Sequence, residues 1–245
     1  MVLLYDAQDE TASHRHTVPL VTTTPEDHFA LLRHQMVDEI AAHTTLVSGE
    51  IDRPSLNPRV MAAMATVPRH DYVPVEMQPF AYVNCPLPIG CGKTISQPFI
   101  VALMIDLLEI ESGDRVLEVG TGLGYQAAVL AALAERVYTV EIIEELAEAA
   151  VKRLACCRNV EVRIGDGRLG LPAEGPFDKI IVAAAPDLVP PALLSQLKPG
   201  GRMVIPCGIP EEQKIVLVTK DASGRLAMKD LLPVRFSALE EGGAP

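Results

Sequence analysis

Basic residues are scarce in this chain. It carries 21 Lys and Arg against 32 Asp and Glu, which gives a formal net charge of −11 at pH 7. Proteins bind nucleic-acid backbones through clustered Lys and Arg that displace counterions. The charge balance therefore argues against nucleic acid as the main partner and disfavours a membrane surface, while a protein or peptide substrate stays open.

Long apolar runs and a leader sequence are also missing. No stretch approaches the roughly 20 apolar residues that a membrane-spanning helix needs. The first residues, MVLLYDAQDE, have no basic start and only a brief apolar run, so we predict no signal peptide and a cytoplasmic location. A chain of 245 residues can bury one substantial core with a small accessory segment.

Cysteine spacing gives no sign of a zinc site. Adjacent Cys156 and Cys157 are poorly placed to share one zinc tetrahedron, and no C-x-x-C pair occurs. An odd number of cysteines in a chain of this length indicates reduced, intracellular thiols. We therefore predict no bound metal and five free thiols, those of Cys85, Cys91, Cys156, Cys157 and Cys207.

Signatures of three other enzyme classes are missing from the places where they would act. An NAD-dependent oxidoreductase would need G-x-G-x-x-G at the turn after the first strand, where this chain reads GTGLGY. A serine hydrolase would need G-x-S-x-G, which does not occur. A nucleic-acid amino-methyltransferase would carry Asn/Asp-Pro-Pro-aromatic after its fourth strand, where this chain reads AAAPD. All three classes are disfavoured.

The informative stretch is residues 115–141, where a short apolar strand, a glycine turn, an Ala/Leu-rich helix and a second strand follow one another. This order is typical of the nucleotide-binding half of a doubly wound sheet. Glycine lets the main chain approach a ligand closely, and the helix start offers free N–H groups. The candidate ligand residues are Gly120, Gly122 and Gly124 of the turn, and Glu141, which can accept hydrogen bonds from both ribose hydroxyls.

The glycine spacing, with Tyr125 in the place of a last glycine, fits an adenosine that carries methionine better than a dinucleotide. Glu118 places an acid where an amino-acid ammonium would lie, and an acid is a poor neighbour for a diphosphate. We therefore predict S-adenosylmethionine ahead of NAD. A glycine turn that binds nothing stays open at this point.

The rest of the chain alternates apolar strands with helices, which predicts an α/β, doubly wound, mostly parallel seven-stranded sheet with an antiparallel edge strand. An N-terminal helical segment precedes this sheet. It consists of helices that begin at Pro25 and Asn57, followed by a proline-rich connector whose aromatic residues, such as Phe80, are expected to pack. We divide the chain into a flexible tail (residues 1–25), a helical wrapping segment (26–80), the main domain (81–236) and a C-terminal tail (237–245).

Two further residues could serve the site. Asp166 and Gly167 follow the third strand, where an acid can accept a hydrogen bond from adenine; an ordinary Asp–Gly turn is the alternative. Ser96 lies at or just before a predicted helix that has Pro98 in its first turn and ends at Gly113. Capping that helix is the plain alternative to a catalytic role for Ser96.

Five segments together, GCGKTISQP, VLEVGTGLGYQAAVLA, GDGR, PFDKIIVAAAP and LKPGGRMVIPCG, make residues 29–236 similar to the protein-L-isoaspartate O-methyltransferases. The glycine loop marks methyltransferases in general, while TISQP, VAAAP and KPGG are specific to this family. The resemblance implies a Rossmann-like methyltransferase fold and isoaspartyl-containing proteins and peptides as partners. It further implies methyl transfer from S-adenosylmethionine to the α-carboxylate of an L-isoaspartyl residue, followed by collapse of the ester to a succinimide.

By the same resemblance, Ser96 is the active-site serine, and Thr94 and Ile95 line the junction between cofactor and substrate. A carboxylate is already ionised near neutral pH, so the enzyme needs no strong base, and Ser96 would orient the substrate without attacking it. The resemblance also implies cofactor contacts from residues already singled out, namely Gly120, Glu141, Asp166 and Gly167.

The chain departs from the family pattern at two places. Phe99 replaces a His or Tyr after S-x-P, and Ser237 and Ala238 replace Val-Pro, followed by Glu240 and Glu241. Two alternatives therefore stay open: a homologue that binds cofactor without turnover, and an enzyme that modifies an aspartate of a peptide precursor. The sequence leaves the oligomeric state open, with a monomer favoured.

Overall fold

The computed structural model describes residues 25–242. The predicted flexible tail before Pro25 and the last three residues of the predicted C-terminal tail lie outside the described residues. Three helices open the described chain: α1 (Pro25–Leu46), α2 (Ser48–Ile51) and α3 (Pro58–Thr66). The side chain of Asn57 accepts a hydrogen bond from the Arg59 N–H at 2.9 Å, which confirms the predicted start of α3.

The proline-rich connector (residues 68–90) packs largely into the core, as predicted, but its last residues form a strand that the sequence did not predict. Its Tyr72 and Tyr82 are buried, whereas Phe80, predicted to pack, is 53% exposed. The connector leads into a small antiparallel pair, β1 (Leu87–Gly90) and β2 (Lys93–Ile95). This pair was not predicted, because strands of four and three residues are too short to show a period of two.

Helix α4 (Pro98–Leu108) is buried along its whole length. The prediction that Gly113 ends it is wrong. The helix ends at Glu109, which adopts a left-handed conformation (φ 52°) and donates its N–H to the Asp106 carbonyl at 3.0 Å. Arg53 holds the Glu109 carboxylate at 2.7 Å, and this contact helps to stabilise a conformation that glycine usually supplies.

The main sheet has seven strands in the order β5-β4-β3-β6-β7-β8-β9. The first five are parallel, and β8 pairs antiparallel with both neighbours, which confirms the predicted sheet and its antiparallel edge. The elements in chain order are β3 (Arg115–Val119), α5 (Tyr125–Ala131), β4 (Arg136–Glu141), α6 (Glu144–Arg153), β5 (Val160–Ile164), β6 (Phe177–Val182), α7 (Pro191–Gln196), β7 (Leu197–Cys207), β8 (Gln213–Lys220) and β9 (Leu226–Val234).

The sheet order fixes where a ligand can bind. Strand β3 lies between β4 and β6, so the chain moves in opposite directions from β3, and ligands bind in the crevice at the carboxyl ends of such strands. Met36 and Ile40 of α1 belong to the same apolar core as α4 and α5, so the N-terminal helices are packed onto the sheet. Between residues 25 and 242, none of the helices is both long enough and apolar enough to cross a membrane.

Candidate functional site

Three adjoining spaces open at the carboxyl edge of the sheet. The inner cavity lies between the glycine loop and residues 237–240. Residues that line it include Thr94, Val119, Gly120, Gly122, Glu141, Gly167, Ala183 and Ser237–Glu240. The outer groove is lined by residues that include His43, Glu50, Thr94, Ser96, Phe99, Arg235 and Ser237. A junction pocket between them is lined by residues that include Thr94, Ile95, Ser96, Gly120, Gly122 and Tyr125.

The glycine loop needs glycine at all three predicted positions. The φ angles of Gly120, Gly122 and Gly124 are 91°, 55° and 97°, in the region that side chains disfavour. Gly120 and Gly122 line the inner cavity, as predicted for cofactor contacts. Gly124 does not: a Cβ there would lie 2.8 Å from Cδ1 of Leu154, so this glycine lets the loop pack onto the chain beneath it.

Glu141 closes the base of the loop. Its Oε2 accepts the Gly122 N–H at 2.8 Å, and its Oε1 accepts the N–H groups of Ile142 and Ile143 at 3.0 and 3.1 Å. An ionised carboxylate offers about four acceptor positions. Three are filled by the protein and Glu141 lines the inner cavity, so acceptor capacity remains for a ligand hydroxyl.

Glu118 lies elsewhere than predicted. Its side chain is fully buried, lines none of the three spaces, and accepts a hydrogen bond from the Thr139 hydroxyl at 2.6 Å. Burial raises the pKa of Glu118 to about 8. The next residue, Val119, faces the inner cavity instead, because successive side chains of a strand point to opposite faces. The predicted direct contact between Glu118 and a ligand is absent from this arrangement.

Of the two residues predicted after the third strand, Gly167 faces the inner cavity and Asp166 does not. Gly167 lines the inner cavity, and a Cβ there would lie 2.3 Å from Cγ1 of Val119. The Asp166 carboxylate turns away and binds the Arg168 guanidinium at 2.8 Å, the Arg168 N–H at 2.9 Å and the Gly242 N–H at 3.1 Å. These hydrogen bonds, those from Arg168 first, lower the pKa of Asp166 to about 2. Asp166 therefore forms the capped turn of the alternative interpretation, with no face on the cavity.

The segment that departs from the family pattern, residues 237–242, covers the inner cavity. The Ala185 N–H donates to the Ser237 carbonyl at 2.8 Å, and the Leu239 N–H donates to the Ala185 carbonyl at 2.9 Å. The Lys93 ammonium pairs with Glu240 at 2.5 Å, and Arg168 pairs with Glu241. We call these residues the C-terminal cover. The two added glutamates are held by cations, so they bring less free negative charge to the site than the sequence alone indicates.

Ser96 lies where the spaces meet, since it lines both the outer groove and the junction pocket. The interpretation of Ser96 as a helix cap is wrong. The N-cap of α4 is Gln97, and the first N–H of the helix interior, that of Phe99, is capped by the Asn84 side chain at 3.0 Å. Among residues 25–242 the Ser96 hydroxyl has no hydrogen-bond partner, so it is available to a ligand.

Two residues at this site were missed by sequence reasoning. His43 of α1 packs against Phe99 with 4.3 Å between ring centroids. An imidazole therefore lies beside the position where Phe99 replaces the His or Tyr of the family pattern. The guanidinium of Arg69 is fully buried and donates to the Ser96 carbonyl at 2.7 Å. Neither residue belongs to a motif or a regular spacing, so only the folded chain brings them to the site.

Known proteins share this sequence and architecture. A model of the family Protein-L-isoaspartate(D-aspartate) O-methyltransferase matches residues 42–243. The chain belongs to this family. It is 56% identical over 229 residues to a Polaromonas protein named Protein-L-isoaspartate O-methyltransferase 1, covering 92% of this chain and 97% of that protein. A Cupriavidus necator protein of the same name is 51% identical, with 91% and 87% coverage.

The fold agrees with a solved member of the family. A structure titled protein-L-isoaspartate O-methyltransferase matches 86% of this chain and 66% of that chain, with a TM-score of 0.72 and 27% identity. The resemblance inferred from TISQP, VAAAP and KPGG is therefore confirmed, as is the Rossmann-like methyltransferase fold.

Proposed function

We propose that this protein transfers a methyl group from S-adenosylmethionine to the α-carboxylate of L-isoaspartyl residues in damaged proteins and peptides. The observation that supports it best is the meeting of the inner cavity and the outer groove at Thr94, Ala183 and Ser237. Ser96 lines the outer groove and the junction pocket beside them. A donor in one space and an acceptor in the other would come into contact there. Membership of the methyltransferase family gives the reaction class.

The inner cavity suits the donor. Its charged lining consists of Glu141, Glu240 and Lys93, so carboxylates outnumber cations, which favours a positively charged ligand over a diphosphate. In this proposal Gly120, Gly122, Glu141 and Gly167 hold S-adenosylmethionine, and Glu118, Gly124 and Asp166 support the residues that do. When bound, this cofactor supplies an electrophilic methyl group on a positively charged sulfur.

The outer groove receives the isoaspartyl residue. Ser96 donates its free hydroxyl to the substrate carboxylate and so holds an oxygen toward the cofactor, while Thr94 and Ile95 shape the junction. The carboxylate is ionised near neutral pH, so alignment and not proton abstraction is the enzyme's main task. The C-terminal cover shields the inner cavity from water.

We further propose a monomer in a reducing compartment, the cytoplasm. All five cysteines are free.

The test offers radiolabelled S-adenosylmethionine with matched isoaspartyl and aspartyl peptides. Base-labile label on the isoaspartyl peptide alone supports repair. Label on the aspartyl peptide points to maturation of a peptide precursor, and cofactor binding without transfer points to a homologue that has lost turnover; either result overturns the proposal. Ser96→Ala is the matched variant, expected to lower kcat while calorimetry finds cofactor Kd nearly unchanged.

A further inference from the structure

Arg69 lies outside the three spaces but contacts residues that line them. We propose that Arg69 is a positioning residue for methyl transfer: its guanidinium fixes the backbone of Ser96 against the start of α5, which follows the glycine loop directly. Arg69 lines none of the three spaces, so it would act through other residues. This inference rests on the proposed function.

The contacts of Arg69 join three parts of the chain. Its Nη2 donates to the Ser96 carbonyl at 2.7 Å, and its Nε donates to the Ala81 carbonyl at 2.8 Å, within the proline-rich connector. Its Cζ lies 4.8 Å from the ring centroid of Tyr125, the first residue of α5. Ser96 and Tyr125 both line the junction pocket, so this one side chain touches the acceptor side and the donor side of the site.

Ser96 depends on such a contact because of where it lies. It stands between the end of β2 at Ile95 and the start of α4 at Pro98, where the regular hydrogen bonds of sheet and helix stop. A shift of about 1 Å at a reacting group can lower a rate on the order of 10²-fold. The carbonyl contact with Arg69 restricts such a shift.

Packing alone does not account for an arginine here. Arg69 is completely buried, forms no ion pair with any described residue, and leaves its Nη1 without a partner. Burial lowers the pKa of Arg69 to about 10, so the group still carries its charge near neutral pH. An apolar side chain of similar volume often stabilises a core at least as well as a buried charge does. The buried charge of Arg69 contacts only two backbone carbonyls and one aromatic ring among the described residues. We therefore infer a role for Arg69 beyond stability.

The chain offers a matched control in Arg59. Its guanidinium also donates to two backbone carbonyls, those of Ile110 at 3.0 Å and Leu133 at 3.1 Å. Arg59 is the second residue of α3 and lines none of the three spaces. Each Arg→Lys change removes guanidinium donors to two backbone carbonyls, and only Arg69→Lys touches Ser96. Arg59 is exposed whereas Arg69 is buried, so Arg59→Lys controls for the lost hydrogen bonds and not for burial.

The experiment measures kcat and KM on an isoaspartyl peptide, cofactor Kd by calorimetry, and Tm for both variants. We expect Arg69→Lys to lower kcat by about 10- to 100-fold, with cofactor Kd within about twofold of wild type. Arg59→Lys should lower Tm with kcat unchanged. If Arg69→Lys lowers only Tm, as its control does, the positioning role is overturned and Arg69 is structural.

A double-mutant cycle with Ser96→Ala supplies the second criterion. Once the hydroxyl is gone, Arg69 has nothing to position, so Arg69→Lys should cost little further kcat in the Ser96→Ala background. Additive losses in kcat would contradict the inference. If Arg69→Lys does not fold, Arg69→Met, which leaves no charge to bury, takes its place with the same expected result.

The outcomes also separate this inference from the proposed function. An inactive wild-type protein on isoaspartyl peptides overturns the function. An active wild type whose kcat is insensitive to Arg69 overturns only the positioning role.

Discussion

The carboxylate of Glu141 accepts the backbone N–H of Gly122 at 2.8 Å, so the acid at the end of β4 holds the glycine loop that follows β3. This single bond joins the two predicted halves of the cofactor site. The loop and the acid therefore act as one unit, and a change at Glu141 affects both the loop and any hydroxyl bound there.

Glu141→Gln is expected to weaken cofactor binding. Both carboxylate oxygens of Glu141 accept backbone N–H groups, and glutamine replaces one oxygen with an NH₂ donor. At least one backbone N–H therefore loses its acceptor, at a cost of about 1–3 kcal/mol. If it falls entirely on cofactor binding, that cost corresponds to an affinity loss of about 5- to 150-fold, measured by calorimetry with S-adenosylmethionine. Exposed Glu148 on α6 is the control: Glu148→Gln should bind cofactor like wild type. Equal affinities for the two variants would contradict the role of Glu141.

Gly167→Ala is expected to destabilise the fold and reduce cofactor affinity. The new Cβ would lie 2.3 Å from Cγ1 of Val119, so the wall of the inner cavity must move. Overpacking of this kind costs about 1–3 kcal/mol, which chemical denaturation can measure. At Gly165, two residues earlier, a Cβ would meet nothing closer than 3.8 Å, so Gly165→Ala should be nearly neutral. A neutral Gly167→Ala would show that glycine is not required there.

Glu118 should make stability depend on pH. Burial raises its pKa from 4.5 to about 8, so the folded protein holds a proton that the unfolded chain releases at lower pH. The free energy of unfolding should therefore fall as the pH rises from about 4.5 to about 8. Glu118→Gln cannot ionise, so its stability relative to wild type should rise across that window in urea denaturation. A difference that does not change with pH would show that Glu118 titrates normally.

The C-terminal cover should respond to salt through Lys93 and Glu240. Their ion pair is partly exposed, so its contribution is small and screened by ions. We expect Glu240→Gln to raise the KM for cofactor by no more than about fivefold at low salt, with the difference vanishing at high salt. Asp230→Asn removes an exposed pair with Lys214 on the far strands and should leave this KM unchanged. A salt-independent effect at Glu240 would exclude an ionic closure.

The central part of the fold was predictable because its signals are local. Residues 115–141 combine a strand, three glycines and an acid at fixed spacing, and the structure places Gly120, Gly122 and Glu141 around one cavity. Their roles follow from backbone angles and distance along the chain. Thr94, Ile95 and Ser96 were predicted by family resemblance, and they line the junction pocket.

The remaining features depend on long-range packing. Strand β3 is buried on both faces, so its sequence RVLEV does not reveal that Val119 and not Glu118 faces the cavity. Asp166 binds Arg168 and the distant Gly242, which no pattern around Asp166 indicates. Arg69 contacts a carbonyl 27 residues away, and a backbone acceptor leaves no mark in the sequence.

The most direct test of the account locates the transferred methyl group. An isoaspartyl peptide is incubated with the protein and S-adenosylmethionine, and tandem mass spectrometry identifies the modified atom. We expect a single base-labile methyl ester on the α-carboxyl of the isoaspartyl residue, followed by succinimide formation. A methyl group on a normal aspartyl side chain or on an amine, or no methyl group with cofactor bound, would contradict it.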